Sequence, residues 1–348
     1  MSNDYLRDAL FSLNREANAA DSFELKHFYR SYIYSLIDGI RNIRYDVDLP
    51  DSLLKKYALY DSFLDKNYYK EVLLSYRANR DFYKDFARLS NTIEDYYLEE
   101  PYRYIEELSF DDSIDMVRGF YDHYDKDISR HLDDLLADNL IREFLPDTED
   151  AIDFDGFTYP IPGEKNLIIA QNNGDISTSG TLAHEVIHSF LFKGDTDLTY
   201  ERDVRKSVNG LDETYPRFIE LAFMKYLESV GFNRTDISSY IKNYNSTFSE
   251  FLFVFNDILA DKESKIFSDN FDLFLNARNY SLPTALAYHY LDKYLDSPYM
   301  VKNDLLRLNQ ESKYRDLPYL LDNFGLQKKD LVKPKVLVKS MSNFDIAA

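Results

Sequence analysis

The sequence predicts a mainly α-helical protein with a small β hairpin beside one central helix. Three observations lead to this prediction. Glycine and proline are scarce, with 10 of each in 348 residues. Apolar residues recur at helical spacing over long stretches, and only two short runs are rich in β-favouring residues.

Residues 1–150 are predicted to form a region of long helices. Apolar side chains follow an i, i+3, i+4 rhythm from Tyr29 to Ile43, from Tyr68 to Tyr97 and again from Ile114 to Leu136. This spacing places the apolar side chains on one face of each helix, as in a helical bundle extending to about residue 146.

The pattern changes at Pro146. Two short β-favouring runs, Phe157–Tyr159 and Leu167–Ile169, are separated by prolines and a glycine, which predicts a hairpin or edge pair. The next helix is predicted from about Thr181 to Phe192, ending at Gly194. Thr178 or Ser179 is the predicted cap.

A second helix is predicted to begin near Asp212 and to end before Gly231. Pro216 then falls within its first turn, where proline is tolerated. Three more helices are predicted near 235–244, 246–263 and 283–296. Residues 151–335 are predicted to form one region, which contains the candidate site residues described below. Residues 336–348 are predicted to be a tail.

The charge balance argues against several classes of partner. Asp and Glu number 61 against 41 Lys and Arg, a net charge of -20. This excess opposes binding to nucleic acid or to an anionic membrane, because both need a basic surface. The sequence shows no apolar run long enough to span a bilayer and no signal-peptide pattern, so a cytoplasmic protein is expected.

Cysteine is absent, which excludes a disulfide scaffold, a cysteine nucleophile and a cysteine metal site.

The strongest chemical signal is H-E-x-x-H at His184, Glu185 and His188. On a helix the two histidines lie about 40° apart on one face, one turn from each other. Two imidazoles can then reach one zinc ion, and Glu185 can meet a metal-bound water as general base. The alternative for these five residues is a helix whose histidines form hydrogen bonds in the core.

A catalytic zinc ion takes three protein ligands and keeps one position open. The candidate third ligands are carboxylates that follow the motif: Asp195, Asp197, Glu201, Asp212, Glu213 and Glu220. Glu213 and Glu220 are seven positions apart and share a helix face, so one can bind metal while the other orients a ligand imidazole. The alternative is that both are solvated surface residues.

The combined pattern resembles the thimet oligopeptidase and oligoendopeptidase F family of zinc metallopeptidases. The matching segments are Thr181–His188 and, 25 residues after His188, Glu213–Glu220. The segment Leu167–Asp175 is similar to the family's strand and turn before the zinc helix. The chain is identified as a shortened member, with the resemblance covering about 165–295.

The resemblance implies a mainly helical, zincin-like fold with a small sheet beside the zinc helix. It implies one zinc ion per chain on His184, His188 and Glu213, with Glu185 as general base. Glu220 would orient a ligand without binding the metal itself. It implies hydrolysis of short peptides by attack of a zinc-bound water, in a cleft of which residues 1–150 form one wall. Two alternatives remain open, a protease acting on a single protein and a non-catalytic protein that binds zinc and peptide.

The family also uses a tyrosine-rich segment to stabilise the oxyanion. The corresponding candidates are Tyr280, then Tyr288 and His289. A phenol directed at the developing negative charge provides electrostatic stabilisation. The alternative is that all three are aromatic core residues.

Overall fold

The structure is a computed structural model. It describes residues 4–20, 30, 33, 61–97, 103–144, 155–159, 166–192, 209–260, 262, 271–296, 298–312, 315–326, 331, 339 and 341. The predicted rhythm from Tyr29 to Ile43, the end at Gly194, and Asp195, Asp197 and Glu201 lie outside these residues, apart from positions 30 and 33.

The chain divides into two compact units. One comprises Met1–Asn67 and Leu108–Arg205, and the other comprises Tyr68–Glu107 and Lys206–Ala348. Three predictions concern the roles of regions: a cleft wall at 1–150, a catalytic region at 151–335 and a tail at 336–348. They stay predictions, because a division into compact units does not test what a region does.

The mainly helical prediction is confirmed. In the first unit the helices are α1 (Asp4–Ala19), α4 (Phe110–Tyr124), α5 (Lys126–Ala137) and α6 (Ile176–Phe192). Helix α2 (Asp61–Ala78) begins in the first unit and ends in the second, where α3 (Arg80–Tyr97) follows. Ser109 caps α4 by accepting a hydrogen bond from the Asp112 amide, and Asp125 caps α5.

A three-stranded sheet completes the first unit. Its strands are β1 (Ile141–Phe144), β2 (Gly156–Tyr159) and β3 (Leu167–Gln171), in the order β1-β3-β2. Strand β2 pairs antiparallel with β3, which confirms the hairpin. Strand β1 pairs parallel with β3, Ile141 opposite Ile168. The prediction of helices alone up to about residue 146 was therefore wrong at β1, because a four-residue strand is stabilised by a partner distant in sequence.

Helix α6 packs against β2 and β3 on one side and against α4 and α5 on others. The Tyr121 hydroxyl of α4 donates a 2.5 Å hydrogen bond to the Ala183 carbonyl. The His131 Nε2 of α5 lies 2.8 Å from the Ser189 Oγ. These contacts tie the central helix to α4 and α5.

Helix α6 begins five residues earlier than predicted, at Ile176. The Asp175 carboxylate accepts a 2.8 Å hydrogen bond from the Ser177 amide, so Asp175 satisfies the helix start. The predicted cap at Thr178 or Ser179 was wrong. The Thr178 hydroxyl instead accepts from the Asn173 amide at 2.9 Å and ties the preceding turn to the helix.

The secondary-structure elements described in the second unit are all helices. After α2 and α3 it contains α7 (Thr214–Ser229), α8 (Arg234–Asn245), α9 (Thr247–Leu259), α10 (Phe271–Asn276), a π-helical turn (Ala277–Ser281), α11 (Leu282–Asp296), α12 (Pro298–Ser312) and α13 (Leu317–Asn323). Helices α7, α8 and α11 match the predicted bounds to within two residues, and α9 ends four residues early. Helix α7 packs on α11, and α9 packs on α3.

No helix in the described ranges combines the length and the apolar character needed to cross a bilayer.

Candidate functional site

The two histidines of the H-E-x-x-H motif face each other on α6. Their Nε2 atoms are 3.0 Å apart and their ring centroids are 4.8 Å apart. Two nitrogen ligands on one tetrahedral zinc ion are about 3.3 Å apart, from Zn–N distances of about 2.0–2.1 Å. The imidazole pair therefore has a spacing that fits one zinc ion with little adjustment.

The Glu185 side chain is nearly buried, with 7% of its surface exposed. The Thr158 Oγ1 of β2 lies 2.8 Å from the Glu185 Oε2 and also 2.8 Å from the Glu185 carbonyl oxygen. Sequence reasoning did not identify Thr158, because nothing local in the sequence indicates which strand residue meets the helix. The one indication in the sequence was Gly156, two positions before Thr158, because a glycine within a strand often marks a close approach of another element.

Glu213 lies in the second unit, directly before α7, and is half-buried. Its backbone is helical, at φ -76° and ψ -7°, and its carbonyl accepts a 2.9 Å hydrogen bond from the Arg217 amide. The helical backbone therefore extends to Glu213, and Glu213 and Glu220, seven positions apart, lie on the same face of the helix, as predicted. Their roles toward a metal and toward a ligand imidazole stay predictions.

Glu220 forms part of a buried polar network. Its carboxylate accepts hydrogen bonds from Arg217 Nη1, at 3.0 and 3.1 Å, and from the Tyr240 hydroxyl. Arg217 also donates to Thr284 Oγ1 at 3.1 Å and to the Tyr244 carbonyl at 2.8 Å. The guanidinium lies 3.6 Å from the centre of the Tyr244 ring. We call Glu220, Arg217, Tyr240, Tyr244 and Thr284 the Arg217 network. The solvated alternative for Glu220 was wrong.

Burial and charge both shift the pKa values of the Arg217 network. Burial raises the pKa of Tyr240 well above its usual value, and the Glu220 charge raises it further. Burial is the largest single influence on the pKa of Arg217 and acts to lower it, but Glu220, Tyr244 and Tyr240 together more than offset this, and the net pKa is raised. At neutral pH the network therefore contains a charged guanidinium and a neutral Tyr240 phenol.

The three oxyanion candidates have different surroundings. Tyr280 lies in the π-helical turn and is 37% exposed. Tyr288 is fully buried, and its hydroxyl donates a 3.0 Å hydrogen bond to Asn245 Oδ1. His289 is half-buried, with its ring 5.9 Å from that of Tyr290. Since π-helical turns occur frequently at functional sites and the Tyr288 hydroxyl already bonds to Asn245, Tyr280 stays the first candidate.

Gly210 packs tightly against the π-helical turn. Its φ is +68°, and a Cβ at this position would lie 2.7 Å from the Asn279 Oδ1 and 3.2 Å from the Arg278 carbonyl oxygen. The same Asn279 oxygen accepts hydrogen bonds from the Arg278 Nε and Nη2, at 3.1 and 2.7 Å, and Arg278 is 1% exposed. A side chain at position 210 would therefore disturb a buried guanidinium as well as strain the backbone.

Replacing Gly210 with alanine is expected to lower the free energy of unfolding by more than backbone strain alone. Positive φ costs an L-residue roughly 1–2 kcal/mol, and the Asn279 contact adds to this. Gly231→Ala is the matched control, because its φ is +84° and, among the described residues, no atom beyond its chain neighbours lies within 4 Å of the added Cβ. Urea unfolding of both variants measures the difference. Equal destabilisation would show that the Asn279 contact costs nothing.

No protein-family model matches the sequence, and no curated protein matches it either. Several solved structures match the fold. PZ peptidase A with an inhibitor has a TM-score of 0.50 and 11% identity, over 92% of this chain and 67% of that protein. A protein from Chlamydophila abortus described as a peptidase has a TM-score of 0.50 and 12% identity, over 99% of this chain and 62% of that protein.

A protein from Bacillus anthracis described as an oligoendopeptidase F has a TM-score of 0.47 and 13% identity, over 90% of this chain and 62% of that protein. This chain therefore spans less than two thirds of the length of two of the three proteins. At this level of identity the two matches with a TM-score of 0.50 show the fold alone. The resemblance that the sequence predicts is confirmed at the level of the fold, and the proteins that share it are described as peptidases.

Proposed function

We propose that this chain is a zinc-dependent peptidase that hydrolyses short peptides. The observation that carries the proposal is the pair of imidazole Nε2 atoms 3.0 Å apart on one helix, with Glu185 next to the first of them. Histidine nitrogens and a carboxylate suit zinc, and H-E-x-x-H on a helix is the pattern of zinc peptidases. The likeness of fold to proteins described as peptidases supports the same reaction class.

One zinc ion per chain would be held by His184, His188 and Glu213. Zinc in such a site lowers the pKa of a bound water and polarises the scissile carbonyl. Glu213 is included because of the sequence resemblance and because it is a half-buried carboxylate at the start of a largely buried helix. Glu220 is proposed to support the ligands through α7, where the Arg217 network fixes it.

Glu185 is proposed to move the proton. Its carboxylate takes a proton from the attacking water and later gives it to the leaving amine, so the peptide C–N bond breaks with no net change in the enzyme. The Tyr280 phenol is proposed to donate a hydrogen bond to the oxyanion, with Tyr288 and His289 as further candidates. The substrate class, short peptides, follows from the family resemblance.

Metal content and peptide cleavage test this proposal together. We expect one zinc ion per wild-type chain and cleavage in a mixed library of quenched peptides. Glu213→Gln is expected to lose zinc on dialysis and to lose cleavage in parallel, because a neutral amide is a far weaker zinc ligand than a carboxylate.

Glu228→Gln is the matched control, since Glu228 lies in the last turn of α7 and forms a partly exposed ion pair with Lys225. It should retain both zinc and activity. Absence of zinc in the wild type would overturn the proposal. Zinc retention by Glu213→Gln at the wild-type level would remove Glu213 from the ligand set.

A further inference from the structure

We propose that Thr158 is a positioning residue that holds the Glu185 carboxylate in place for proton transfer. The inference rests on the proposed function, in which Glu185 is the general base. Two elements of the first unit meet at this contact, where the Thr158 Oγ1 of β2 lies 2.8 Å from the Glu185 Oε2 of α6. No sequence pattern assigns a role to this threonine.

The contact depends on an unusually close approach of strand and helix. A Cβ at Gly156 would lie 2.5 Å from the Thr181 Cγ2 and 3.1 Å from the Glu185 Cγ, so a larger residue would push β2 away from α6. Side chains alternate along a strand, and Gly156 and Thr158 therefore share the face that meets α6. Gly156 allows the approach that brings the Thr158 hydroxyl to Glu185.

The position of the threonine oxygen is set by the sheet. Thr158 pairs with Ile168 of β3, whose side chain is fully buried. A β-branched side chain has restricted rotation about χ1, so a fixed backbone also fixes the hydroxyl oxygen. The Glu185 carbonyl oxygen, 2.8 Å from the same Oγ1, is a second acceptor on α6, so the single hydroxyl hydrogen is shared between it and the Glu185 Oε2.

The hydrogen bond between Thr158 and Glu185 has a direct consequence for proton transfer. A glutamate has three rotatable side-chain bonds, and a general base must lie within hydrogen-bond reach of the proton it takes. The Thr158 hydroxyl donates to Oε2, while Oε1 accepts the proton from water. Oε2 can still accept from Thr158 when Oε1 carries that proton, so the contact persists until the proton passes to the leaving amine. Thr158 keeps its own proton throughout.

Thr158→Val and Thr158→Ser separate this role from simple packing. Valine keeps the shape of threonine and removes the hydroxyl, whereas serine keeps the hydroxyl. With zinc bound, we expect Thr158→Val to lower kcat about 10- to 100-fold, with KM within about twofold of the wild type. Zinc content should stay at one per chain, and Thr158→Ser should recover most of kcat. An unchanged kcat in Thr158→Val would overturn the proposal.

A double-mutant cycle in the zinc-free protein gives a readout that does not depend on activity. Urea unfolding is measured for the wild type, Thr158→Val, Glu185→Met and the double variant. We expect the double variant to unfold at a higher urea concentration than the sum of the two single shifts predicts. Additive shifts would overturn the contact itself.

The two readouts distinguish the failure of this inference from failure of the proposed function. If the wild-type protein cleaves no peptide, the proposed function fails, and the cycle still decides whether Thr158 holds Glu185. Thr92→Val controls for the general effect of losing a threonine hydroxyl, because the Thr92 Oγ1 donates a local hydrogen bond within its own helix, to the Arg88 carbonyl at 3.0 Å. It should leave kcat unchanged.

Discussion

Replacing Glu185 with glutamine is expected to lower kcat about 10²- to 10⁴-fold while leaving one zinc ion bound per chain. Glutamine has nearly the same shape as glutamate, and its amide oxygen can still accept the hydrogen bond from Thr158. What it lacks is basicity, so the proton of the attacking water has no acceptor. Single-turnover cleavage of a quenched peptide and metal analysis of the same sample measure the two effects.

Glu143→Gln is a suitable control for this substitution. Glu143 lies on β1 in the same unit, is exposed, and accepts a 2.8 Å hydrogen bond from the Asn172 side chain. Its loss should change neither activity nor metal content. Full activity in Glu185→Gln would remove Glu185 from the reaction, and with it the proposed mechanism.

Replacing Arg217 with methionine is expected to lower the free energy of unfolding by about 3–5 kcal/mol, because it leaves the Glu220 carboxylate buried without its cation. The Arg217 and Glu220 side chains are only 9% and 7% exposed. The guanidinium also stacks on Tyr244, so the variant loses packing as well as charge. Urea unfolding followed by circular dichroism measures the change.

Two further variants isolate the cause. Adding Glu220→Leu to Arg217→Met should restore part of the stability, since the unpaired buried charge is then absent. Lys225→Met, which removes a more exposed i,i+3 pair with Glu228 on the same helix, should cost less than about 1 kcal/mol. Similar losses of unfolding free energy for Arg217→Met and Lys225→Met would show that burial does not make the Arg217–Glu220 ion pair more important for stability.

Much of the architecture could be predicted because it depends on local spacing. The predicted bounds of α7 and α11 agree with the structure to within two residues, and the two β-favouring runs located the hairpin. A helical repeat of 3.6 residues places residues i and i+4 on one face, so the facing of His184 and His188 follows from their spacing alone. The seven-residue spacing of Glu213 and Glu220 likewise places both residues on one helix face.

Other features depend on partners distant in sequence. Strand β1 is four residues long and exists by pairing with β3, so its own sequence does not distinguish it from the end of a helical region. The Tyr288 hydroxyl bonds to Asn245, which lies on another helix, and no sequence spacing relates the two. For such residues the sequence shows which groups can form hydrogen bonds or pack, but it does not predict which residue they contact.

The sequence by itself therefore determined the mainly helical class, the motif helix with its histidine pair, and the candidate base, because each follows from the repeat of a single helix. Only the tertiary structure decided that Thr158 meets Glu185 and that Glu220 is bonded to Arg217 and Tyr240. These contacts join separate elements, and they form only when burial of the apolar faces brings a strand against a helix or one helix against another.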